Sequence, residues 1–101
     1  MWCAMNNIEY CHAILDSTDL QKEIEHYETL IEDCGLQVEG LLIKSASAES
    51  GRERRHFDVT AQNYKSCAKN YKDLKIKLEA DLKEIQIGMA EYEDANLQAA
   101  S

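Results

Sequence analysis

A chain of 101 residues with formal charge −8 fits one domain and repels phosphate backbones and anionic lipid, which disfavours generic nucleic-acid binding. It has no proline and four glycines, and alanine, leucine, lysine, glutamate and glutamine dominate, a composition that excludes a strand-rich fold. No run approaches the roughly 18 apolar residues of a membrane span and Met1–Ala4 is no signal-peptide start, so a cytoplasmic chain with reduced cysteines is expected.

The first expected helix covers about residues 2–16. Ala4, Ile8, Cys11 and Leu15 recur at helical spacing, flanked by Trp2 and Met5. A second helix, about 19–47, opens on Thr18 and Gln21, whose separation is that of a capping box. Its seam is Leu20, Ile24, Tyr27, Ile31, Cys34, Val38, Leu41, Ser45, with steps alternating four and three. Gly35 and Gly40 each cost that helix roughly 1 kcal/mol relative to alanine, so packing must offset them. After Ser45-Ala46-Ser47, Ser50 and Glu53 form a second capping box that opens a third helix, about 51–97. Its seam reads Phe57, Thr60, Tyr64, Cys67, Tyr71, Leu74, Leu78, Leu82, Ile85, Met89, Tyr92, and two successive steps of four around Leu78 amount to a four-residue insertion in the heptad. Such a helix is on the order of 60 Å long, a poor shape for an enzyme built around a pocket.

Short connections make neighbours antiparallel, so the expected fold is an all-α, antiparallel, left-handed three-helix bundle. Its core seam comprises Trp2, Ile8, Leu15, Leu20, Ile24, Tyr27, Ile31 and Cys34, facing Cys67, Tyr71, Leu74 and Leu78. The short first helix covers only half of the second. This leaves Val38, Leu41, Leu42, Phe57 and Tyr64 as a candidate interface, to be closed by dimerisation or by further parts of a longer protein. Charge is also segregated: residues 1–50 hold ten acidic and two basic side chains, and residues 51–77 three and eight. Acidic and basic helix faces are therefore expected side by side, with Arg52, Arg54 and Arg55 as a candidate basic patch.

Several of these segments resemble a spectrin repeat, the three-helix unit of spectrins, dystrophin, plakins and nesprins. Trp2 and the stretch to Ser17 are similar to the family's first helix, and Asp19–Tyr27 to the opening of its second. Asp33–Leu42 resembles the middle of that second helix, and Tyr71-Lys72-Asp73-Leu74 the aromatic-x-x-Leu motif of the third. The likeness spans roughly residues 2–90. The family usually has further turns before the first-helix tryptophan, which here predicts a fragment or an edge repeat, and often a tryptophan where Tyr71 stands. The resemblance implies a spacer and docking surface in a cytoskeletal or membrane-scaffold protein, the nuclear envelope included, with adjacent repeats or other proteins as partners.

No catalytic constellation, cofactor motif or metal set is expected. Folding the second and third helices back on each other brings Cys34 level with Cys67, with Cys3 about a turn away, a disulfide on oxidation being one reading and small buried hydrophobes the other. Three thiols fall short of a tetrahedral zinc site with no histidine in that layer. His12, His26 and His56 have no nucleophile at a working spacing, and Glu28 and Glu32, one turn apart, read as a solvated acidic face. The expected function is a non-catalytic spacer and protein-interaction module; the alternatives are an obligate self-associating coiled coil and a helical domain that binds phosphoinositide or another anion through Arg52–Arg55 and Lys65–Lys77.

Overall fold

The structure, a computed structural model, describes the backbone of residues 6–100 and the side chains of residues 6–97. Trp2 and Cys3, with Ala4 and Met5, lie outside the described residues. Two helices form, α1 over Asn7–Ala46 (40 residues) and α2 over Gly51–Ala100 (50 residues). The chain is all-α, as expected, but it is not a three-helix bundle.

The expected break at 16–19 is absent because nothing there stops a helix. Asp16-Ser17-Thr18-Asp19 contains neither glycine nor proline, and the Ser17 and Thr18 hydroxyls donate to the Ile14 carbonyl at 2.9 and 3.0 Å. Thr18 is therefore satisfied inside a helix instead of capping one. The cap of α1 lies further upstream. Asn6 Oδ1 accepts from the Glu9 amide at 2.8 Å while Asn6 Nδ2 donates to Glu9 Oε1 at 2.9 Å, a reciprocal box that satisfies one of the unpaired amides of the first turn. Ser50 caps α2 where expected, its Oγ accepting from the Glu53 amide at 3.1 Å, which is one half of the expected capping box.

The register of the second expected seam runs backwards through the missing break. Tyr10, Ala13, Ser17 and Leu20 face inward, and Ile8 and Leu15, assigned to the core on sequence, are 70% and 62% exposed. Two apolar stripes overlap in this part of α1, and the one continuous with Ile24, Tyr27 and Ile31 is the one that packs. On α2 the inward residues are Phe57, Ala61, Tyr64, Ala68, Tyr71, Lys75, Leu78, Leu82, Ile85, Met89 and Tyr92. These steps alternate four and three throughout, so no four-residue insertion is needed. Before Leu78, Phe57, Tyr64 and Tyr71 keep their expected inward places, but Cys67 and Leu74 are exposed and Ala68 and Lys75 face inward instead. Lys75 is tolerated there because its stem packs while its ammonium reaches Glu28 Oε1 at 3.3 Å.

The chain divides into two units, one of Met1–Ile24 with Ile76–Ser101 and one of Glu25–Lys75. In the first, Ala13, Ile24 and Leu82 are buried, and Tyr10 stacks on Tyr92 with ring centroids 4.3 Å apart. In the second, Cys34, Ser45 and Ala61 are buried and Tyr27 meets Tyr71 at 5.8 Å between ring centroids. The second unit contains the turn. There the Ala48 amide donates to the Ser45 carbonyl at 3.2 Å, tightening the end of α1 into a 3₁₀-like turn, and the Ser47 hydroxyl takes the Ile43 carbonyl at 2.7 Å.

Candidate interaction face

The second unit presents a trough of about 450 Å³ between its helices. Ile31, Cys34, Gly35 and Val38 line it from α1, and Lys65, Ala68, Lys69 and Lys72 from α2. Gly35 and Ala68 contribute little side chain to it. A Cβ on Gly35 would touch nothing within 4 Å. The three lysines are four and three residues apart, which aligns them along one side of α2 above an apolar floor.

The candidate interface residues divide between this trough and the helix seam. Val38 lines the trough, Leu42 is exposed one turn further on, and Leu41, Phe57 and Tyr64 are half-buried between the helices. Of the expected core seam, Ile24 and Cys34 are buried and Leu20, Tyr27, Ile31, Tyr71 and Leu78 half-buried. Leu36, Ile43 and Val59 add large exposed apolar groups on the outer sides of this unit.

The turn end is pinned by polar side chains, of which Ser45 belongs to the expected seam and Arg54 to the expected basic patch, while Asp58 carried no signal in the sequence. Ser45 Oγ donates to Asp58 Oδ1 at 2.6 Å, and Arg54 Nε donates to the Ser45 carbonyl at 3.3 Å. Arg54 thus closes the last turn of α1, where a cation also complements the helix dipole. All three arginines of the candidate basic patch are exposed, and Arg54 differs from Arg52 and Arg55 in this bond to the turn. The positions of Ser45 and Asp58 have the same sum as those of Glu28 and Lys75, so antiparallel numbering could have found this pair.

The first unit carries a second recess, lined by Asp16, Asp19, Leu20, Glu23, Asp81, Glu84 and Ile85. Its carboxylates do not converge: among the described residues no group of three or more histidine, cysteine or acidic side chains could hold a metal ion. Near the far end of the same unit the Tyr10 hydroxyl donates to Glu93 Oε1 at 2.5 Å, and the Tyr92 hydroxyl donates to Asn7 Oδ1. The hydrogen bond to Glu93 is the main reason the Tyr10 phenol titrates above its ordinary value, with desolvation and the Glu93 charge adding to it.

Cys34 and Cys67 come level, as antiparallel numbering requires, but on different sides. Cys34 is buried at the trough and Cys67 is exposed, with Ala68 facing Cys34 in its stead. Cys11 is exposed as well, and Cys3 lies outside the described residues. His12, His26 and His56 are exposed; the last two lie against Tyr27 and Phe57 at about 6.0 and 5.8 Å between ring centroids. Glu28 pairs with Lys75, not with Glu32. Among the described residues no helix is long and apolar enough to cross a membrane. No family model, no curated protein and no solved structure matches this chain.

Proposed function

We propose that this chain is a non-catalytic helical interaction module that associates with a second copy of itself, and that it acts as a spacer or docking element within a larger cytoplasmic scaffold. The observation that carries the reading is the thinness of the second unit. Its buried apolar residues are Cys34 and Ala61 alone, both small, while Leu36, Leu42, Ile43 and Val59 stand exposed. Full burial of one such side chain is worth roughly 1.5–3 kcal/mol, so each one that a partner covers is a sizeable part of a domain's stability of about 5–15 kcal/mol. Two helices joined by a turn cannot supply that cover from within. A coiled-coil seam with regular heptads on both helices is also the geometry that adds further helices most readily.

Absolute mass by light scattering, in reductant and over a wide concentration range, tests it. The reading expects a species of twice the 11.5 kDa chain mass at the higher concentrations. The chain mass at every concentration would overturn self-association.

A further inference from the structure

In the unit Glu25–Lys75 the two helices carry opposite charge. The α1 part holds five carboxylates and one lysine; the α2 part holds seven basic and three acidic side chains. These charges lie on neighbouring helices yet hardly meet. Among the described residues one ion pair forms, Lys75 with Glu28 at 3.3 Å.

Residue spacing shows where the unmatched charges stand. Gly35 lies at the trough, and Glu32 and Glu39 flank it at three residues before and four after, so they rise along its α1 edge. Glu25, seven residues before Glu32, continues the same line. Lys65, Lys69 and Lys72 form the opposite edge. One face of this unit is therefore a glutamate ridge and a lysine ridge with an apolar channel between them.

A second copy laid on that face can be related by a two-fold axis across the helices or along them. Across the helices, α1 sits on α1 and glutamate meets glutamate. Along them, α1 of each copy sits on α2 of the other, and each glutamate ridge meets a lysine ridge at the same level, with Glu32 nearest Lys69. We infer that the chain dimerises face to face in this second way, closing the two troughs into one four-helix core. The interface is isologous, and its charges choose the pairing of helices while the apolar floor supplies burial. This inference rests on the self-association proposed above and gives it one face, which takes in Leu42, one turn beyond Val38, and leaves Leu36, Ile43 and Val59 on the outer sides.

The test uses two charge-reversed chains, Lys65→Glu/Lys69→Glu/Lys72→Glu and Glu25→Lys/Glu32→Lys/Glu39→Lys, with helicity checked by circular dichroism and mass by light scattering. Each alone is expected to dimerise at least about a hundredfold more weakly than the wild type, because like charges then oppose each other at both ridges. An equimolar mixture restores both ridge contacts and should recover the dimer. Variants that dimerise like the wild type would overturn this face while leaving self-association standing; loss without recovery on mixing would overturn it too. A wild-type chain that stays monomeric defeats both readings, and its sedimentation with phosphatidylserine vesicles would assign the lysine ridge to anionic headgroups instead. Should a variant lose its helicity, salt decides on the wild type: dimerisation must weaken as ionic strength rises, and a salt-insensitive dimer contradicts the charge pairing.

Discussion

Tyr10 shows how a single side chain near the chain's start can be tied to one over eighty positions away. Its ring stacks on Tyr92 and its hydroxyl donates to Glu93, and that bond holds the proton on the phenol. A folded-state pKa above the ordinary phenol value means that folding favours the protonated form. The stabilisation is complete below the unfolded value and is lost as pH rises from there through the raised folded value. Denaturant titrations between about pH 9 and 11 should therefore show the wild type losing stability more steeply than Tyr10→Phe. Equal slopes would mean that the Glu93 bond does not persist in solution. At the same scale, Arg54 donates its Nε to the Ser45 carbonyl, a role in the turn that three arginines close together in sequence do not reveal.

Among the elements, the continuity of α1 decides the architecture. The inward register from Leu20 to Ser45 and the Ser50 cap of α2 were readable from spacing and residue type, because periodicity and capping chemistry are local. The junction was not. Thr18 and Gln21 fit a cap by identity, and Ile8, Cys11 and Leu15 fit a core stripe by spacing; only the residues of α2 opposite them select the rival stripe of Tyr10, Ala13 and Ser17. The shift at alternate α2 seam positions has a similar origin, since Ala68 and Lys75 are weaker apolar signals than Cys67 and Leu74 yet face α1. Asp19→Pro separates the two architectures. In the first turn of a new helix proline is well tolerated, whereas inside a continuous α1 it removes an amide bond and clashes with the preceding turn, at a cost of ~3 kcal/mol or more. A loss of that size in urea unfolding is expected, and a change below about 0.5 kcal/mol would reinstate a helix start at that position.

For the whole molecule, absence of the third helix makes the account one of missing cover. Sequence reading anticipated an open apolar side around Val38 and Leu42 from an argument about a helix that was too short. In the structure the opening has a simpler cause, since α1 absorbs the segment that was to supply that helix. The trough itself was not legible, because it depends on Gly35 and Ala68 lying opposite each other, a coincidence of side that numbering alone does not give. The most direct measurement is thermal unfolding over about a hundredfold range of chain concentration. A second copy that covers the exposed side requires the melting temperature to rise with concentration, because the folded dimer is favoured by mass action. A melting temperature that stays constant across the range would mean that two helices stand without a partner, contradicting the account.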